Sequence, residues 1–120
     1  MWIWSNTTGN LTRDGQFITW GYAGHAQGTN NPSDEALPDT GPPPEGAYTI
    51  GPARTDPHLG TIAMPLTPDP TTDMHGRSGF WIHGASPQHP LESSHGCIVL
   101  PSVARSTIAT SGDTVLLVTA

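Results

Sequence analysis

Lysine is absent from this 120-residue chain, and only four arginines (Arg13, Arg54, Arg77 and Arg105) set fixed positive charge against ten acidic residues. The formal charge is −6 with the histidines neutral. Nucleic-acid binding draws on clustered cations facing phosphate, and adsorption to an anionic bilayer needs a polybasic segment. Neither is encoded, so no nucleic-acid partner is expected. Long apolar runs are missing too. Nothing approaches the roughly 20 residues of a membrane-spanning helix, and no membrane insertion is expected. The opening MWIWSNTTGN lacks the basic-then-apolar order of a secretory signal; the expectation is a chain made in the cytoplasm without the general export signal. Cysteine is limited to Cys97, so no internal disulfide can form.

Glycine and proline are abundant, at 14 and 13 residues, and fall without a period between short β-like runs. At a length typical of one domain, this predicts a single mainly-β domain over residues 1–120 with long loops. Trp2 and Trp4 alternate with Ile3. RDGQ carries the Asp-Gly pair of a tight hairpin, and FITWGY, AYTIG, GTIAMPLTP, FWIHG and CIVLP read as strands. TVLLVTA reads as a final, near-continuously buried strand. Trp2, Trp4, Trp20 and Trp81 are expected in the core. Residues 24–46 form a long polar connection of the kind that is functional or mobile, with TGPPPEG leading into a strand. SVARSTIAT, near residues 102–110, is the one short helix, with Ser102 as its N-cap.

ESSHGCIVLP raises the chemical question. A lone cysteine is either a buried small hydrophobe or a nucleophile. The thiolate is the attacking species and an ordinary thiol titrates near 8.5, so a nucleophile needs a base beside it. His83, at the end of a predicted strand 14 residues before Cys97, supplies one. Gly96 lets the backbone approach a substrate, and amides near Gly96 and Cys97 could face a tetrahedral oxyanion, worth roughly 3 kcal/mol per donor. A metal site built from His83, His89, His95 and Cys97 is the competing arrangement. Its spacings match no common zinc module, and no cofactor is expected. His25, His58 and His75 stand isolated in polar loops and are expected at the surface.

SHGC preceded by an upstream HG resembles the active-site signature of the YkuD-type L,D-transpeptidases of peptidoglycan. TTGNL, GYAGHAQGTNNP, GPPPEGAYTIG, LTPDP, GRSGFWIHG and SSHGCIVLP follow one another along nearly the whole chain. In that order they resemble a divergent branch more closely, the Tlde1-type domain (DUF2778) of type VI secretion effectors. The resemblance implies a YkuD-like β-sandwich or barrel, with Cys97 as nucleophile and His83 as base. A backbone carbonyl at or near Gly84 can orient His83. Ser94 and His95 would shape the pocket, with His95 a second group for proton handling, and Tyr22 and His25, within GYAGH, would line the cleft. Arg77 is assigned to a substrate carboxylate, which a planar guanidinium grips bidentately. Ile98 and Val99 follow the cysteine where most YkuD-type enzymes carry an arginine.

The implied reaction is attack of Cys97 on the carbonyl of the diamino acid, third in a tetrapeptide stem. D-alanine leaves and a thioester remains. Water would make the enzyme an L,D-carboxypeptidase, a free D-amino acid would exchange the terminal residue, and another stem's amine would form a 3–3 cross-link. The implied partners are stem peptides, D-amino acids, a cognate immunity protein and components of a secretion apparatus, with action in the periplasm of target bacteria. Competing expectations are a housekeeping L,D-transpeptidase and a non-catalytic peptidoglycan-binding module.

Overall fold

Strict alternation builds the first strand, β1 (Trp2–Ser5): Trp2 and Trp4 are wholly buried while Ile3 and Ser5 are only partly covered. The computed structural model describes residues 1–90 and 92–120, so position 91, in the loop expected before SHGC, lies outside the described residues. β2 (Asn10–Arg13) and β3 (Gln16–Trp20) form the hairpin that RDGQ predicts. Asp14 and Gly15 both take positive φ, 49° and 85°, as a hairpin turn matching the strand twist requires.

The remaining strands are β4 (Tyr22–Ala23), β5 (Gly46–Ile50), β6 (Arg54–Asp56), β7 (Gly60–Pro68), β8 (Trp81–His83), β9 (Ile98–Val99) and β10 (Val115–Thr119). They pair in the order β3-β2-β1-β10-β5-β7-β8-β9-β4, with β6 on β7. β1 with β10 and β8 with β9 are parallel; the other pairs are antiparallel. The two ends of this path, β3 and β4, are joined through Gly21 alone. The sheet therefore curls into a nearly closed, barrel-like wall, which leaves little free edge. The fold is mainly β with one α-helix, α1 (Ser102–Ser111).

Inside the wall, Trp2, Trp4, Met64, Ile82, Ile98 and Leu116 pack together with Ile108 of α1. Burying each such aliphatic side chain stabilises the fold by about 2 kcal/mol. The polar tips are satisfied: Trp4 Nε1 donates to Asn6 Oδ1 at 2.9 Å, and Asn6 Nδ2 donates to the Pro43 carbonyl at 2.9 Å.

Several expectations need correction. Trp20 is 70% exposed, because β3 ends the path and nothing covers its outer face, and Trp81 is only half-buried. β10 alternates rather than being buried throughout, with Leu116 and Val118 inward and Val115 outward. The helix N-cap is Pro101, in extended backbone, with no side-chain hydrogen bond, and Ser102 is the first helical residue. Proline's missing N–H costs nothing at a helix start. β6 carries no apolar alternation and forms because it extends the β5–β7 hairpin beyond a kink at 52–53. The connection 24–46 is held in place by 3-10 turns at Ala26–Gly28 and Pro32–Asp34 and by the His25 amide, which donates to the Thr40 carbonyl at 2.8 Å.

Candidate active site

The parallel pairing of β8 with β9 sets Ile82 against Ile98 and His83 against Val99. Ile82 and Ile98 are both core residues. Successive strand residues face opposite sides, so Trp81 and His83 turn the other way, as does Val99. Cys97 stands immediately before β9, two residues ahead of the Val99 that His83 opposes.

His83 is 4% exposed, and its Nδ1 lies 2.8 Å from the Gly84 carbonyl oxygen. A carbonyl only accepts, so Nδ1 carries the hydrogen and Nε2 presents a lone pair. Burial pushes the imidazole pKa below its ordinary value. The bond to Gly84 opposes this, the nearby charge of Arg105 reinforces it, and Asp56 opposes it again. The group is a neutral base fixed in one tautomer. Gly84 is itself wedged, since a Cβ there would stand 2.5 Å from Nη2 of Arg105. That arginine is buried, with Nε donating to Leu100 O at 3.0 Å and Nη1 to Thr61 O at 2.6 Å.

The Cys97 thiol donates to the Gly79 carbonyl at a long 3.8 Å. Burial raises its pKa, while hydrogen bonding from the Trp81 backbone and the charge of Arg77 pull it down. Burial thus favours the uncharged form of both groups, the thiol and the imidazole.

Ser94 is fully buried, and its hydroxyl is saturated. It donates to the Cys97 carbonyl at 2.6 Å and accepts from the amides of Gly24 at 2.9 Å and Gly96 at 3.0 Å. It therefore ties the Cys97 turn to the residues after β4 and has no bonding capacity left for a substrate. The Gly96 amide, an expected oxyanion donor, is spent on Ser94. The amides of His95 and Cys97 donate to nothing among the described residues and are the free ones. Gly96 has φ +144°, and a Cβ there would lie 2.7 Å from Arg77 Nη2 and 2.9 Å from Phe80 Cε1. Its small size admits these neighbours rather than a substrate.

Arg77 departs furthest from expectation. Nη1 donates to the carbonyls of Glu35 at 2.6 Å and Pro42 at 2.9 Å, Nη2 donates to Gly41 at 2.9 Å, and Cζ sits 4.8 Å from the Phe80 ring centroid. The guanidinium thus spends three of its five N–H donors on fastening the 24–46 connection beside Cys97, a structural role that its expected grip on a carboxylate did not include. Tyr22 is also structural. Its hydroxyl donates to Pro90 O at 2.8 Å and accepts from the Ser93 amide at 2.9 Å, which pins the loop before SHGC. His75, expected to stand alone, meets Glu35 at 3.1 Å.

Two clefts flank the site. One of about 240 Å³ is lined by Arg77, Gly79, Phe80, His95, Gly96 and Cys97. The other, about 400 Å³, is lined by His83, Gly84, His89, His95 and the hairpin tip at His58 and Leu59. Exposed His95 is the one histidine bordering both. Its ring centroid is 5.0 Å from that of half-buried His25, whose Nδ1 is buried and has no hydrogen-bond partner among the described residues. No group of three or more His, Cys, Asp or Glu side chains among the described residues could hold a metal ion.

Arg105 is the residue that the sequence reading missed. Its signal lies in SVARSTIAT: Ala104, Arg105 and Ile108 share the inward face of α1, an unusual place for a charge.

Comparison with known proteins adds two findings. The family model described as the Tlde1 domain matches residues 18–114. Among solved structures, an L,D-transpeptidase from Mycobacterium smegmatis has the same fold, with a TM-score of 0.54 at 16% identity over 99% of this chain. The chain spans 58% of that protein's length. No curated protein matches.

Proposed function

Because the chain belongs to the Tlde1 domain family, we propose that it is a cysteine enzyme of the L,D-transpeptidase type that modifies peptidoglycan stems. The observation that carries this reading is the β8–β9 register, which sets His83 against Val99 two residues after Cys97, with His83 held by Gly84 so that its lone pair is on Nε2.

A tetrapeptide stem presents the carbonyl of its third residue to Cys97. The thiol proton leaves Gly79 for His83 Nε2 as the sulfur attacks, so charge separates only as the C–S bond forms. Such tightening on substrate binding is usual for catalytic hydrogen bonds that are long at rest. The oxyanion is met by the free amides of His95 and Cys97, a stabilisation of roughly 3 kcal/mol per donor. Collapse of the intermediate breaks the C–N bond. The departing D-alanine amine takes the proton back from His83, and the stem remains as a thioester on Cys97. Water activated by His83 then completes L,D-carboxypeptidase turnover, while the amine of a free D-amino acid completes exchange. His95, between the two clefts, is placed for proton handling in this second step.

The same reading extends to use. A domain of this family that trims or exchanges stem termini acts as a type VI secretion antibacterial effector. It is delivered to the periplasm of target cells and paired with an immunity protein in the producer. The test of the chemistry is incubation with purified tetrapeptide muropeptides, with and without a free D-amino acid, followed by mass analysis. Loss or replacement of the terminal D-alanine is expected. An unchanged profile under both conditions would overturn the proposal.

A further inference from the structure

Three of the four arginines are committed. Arg13 pairs with Asp113 at 3.2 Å, Arg77 is bonded to three carbonyls, and Arg105 is buried on Leu100 and Thr61. The chain has no lysine. Arg54 is the remaining fixed cation, and among the described residues its side chain makes no hydrogen bond and no ion pair. The nearby carboxylate that could have taken it, Asp56, is turned instead to the amides of His58 and Leu59 at 2.8 and 3.0 Å.

Arg54 is exposed, but it is not loose. Its Cζ lies 5.2 Å from the ring centroid of Trp81. Stacking uses the face of the guanidinium and leaves its in-plane N–H donors open. Trp81 precedes Ile82, and Cys97 precedes the Ile98 that Ile82 opposes. Along β8 Trp81 sits between Phe80 of the first cleft and His83 of the second. Among the described residues, the one uncommitted arginine is thus shelved on the indole of the strand that carries His83.

We infer that Arg54 binds the far-end carboxylate of the diamino acid in the attacked stem, and so selects stems in which that carboxylate is free rather than amidated. The inference rests on the proposed function and names the substrate feature that the site reads. A tetrapeptide stem of this class carries a carboxylate on each of the two residues that the scissile bond joins, besides the one on its second residue. The one on D-alanine adjoins the scissile bond and leaves with the product. The other lies at the end of the diamino acid side chain, roughly 7 Å from the attacked carbonyl, the span of two extended residues. Arg54, stacked on Trp81 on the face of β8 that carries His83, is the cation available to the one at the far end.

The test is calorimetric binding in a Cys97→Ala background, where no turnover occurs. Two synthetic tetrapeptides are used that differ only in a free carboxylate or a carboxamide at the far end of the diamino acid. The Arg54 protein is expected to bind the carboxylate peptide about 10- to 100-fold more tightly, the range for hydrogen bonds to charged groups. Arg54→Met, which keeps a long stem against Trp81, closes that gap, and Arg54→Lys restores part of it. An Arg54→Met protein that keeps the parent's preference, or weakens both peptides equally, overturns the inference. Release of D-alanine from the same peptides by the unmodified protein reads the enzyme proposal separately. Arg54-dependent binding without release leaves the inference standing and removes the enzyme. Release with an unchanged preference in Arg54→Met does the reverse.

Discussion

Ser94 Oγ donates to the carbonyl of Cys97 at 2.6 Å, so the backbone of Cys97 is held by the side chain of the first residue of its own SHGC turn. The same oxygen accepts from Gly24 and Gly96. Chain segments 70 residues apart therefore meet at one hydroxyl.

Ser94→Ala tests that junction. It leaves two amides and a carbonyl without their partner in a fully buried setting. A buried group that loses its hydrogen bond costs about 1 to 3 kcal/mol, so the variant is expected to lose roughly 3 kcal/mol of stability and most of its activity. Thermal unfolding should show a midpoint lowered by about 10 °C. An unchanged midpoint would mean that the hydroxyl is not what holds the turn.

Activity and stability should depend on pH through His83 in the same direction. Burial keeps its folded pKa below the ordinary 6.5. Below 6.5 the unfolded imidazole binds a proton that the folded one does not, so stability is full above that pH and falls as the pH drops toward the folded pKa. The rising limb of kcat/KM, which reports the free base, should likewise lie below 6.5. The Cys97 thiol, raised above its ordinary value by burial, should leave a broad plateau through neutrality. A rising limb near pH 8 to 9 would instead mean that a free thiolate attacks, contrary to the neutral-pair mechanism.

Expression in bacteria separates the effector reading from other targets. A protein that trims stem peptides should arrest growth when directed to the periplasm by an added export signal and be harmless in the cytoplasm. Cys97→Ala should be harmless in both. Killing from the cytoplasm would point to a different substrate.

Much of the fold is legible in local pattern. Asp14-Gly15 writes its own hairpin because both residues tolerate positive φ, and the apolar residues around Ile82 and Ile98 mark the two strands that carry His83 and Cys97. The support of the site is not legible. Arg77 meets three backbone carbonyls 35 to 42 residues away, and carbonyl acceptors are common to every residue type, so no sequence signal distinguishes them. The fates of Trp20 and Arg54 depend on which strand ends the path and which bends around β7. Pairing order decides that, and side-chain alternation does not.

The most direct measurement of the central claim is release of D-alanine from a tetrapeptide stem by the unmodified protein, His83→Gln and Cys97→Ala side by side, with folding of each confirmed by circular dichroism. The account predicts release by the unmodified protein, a loss of at least a hundredfold without the base, and none above background without the thiol. Equal release by the unmodified protein and Cys97→Ala would contradict it.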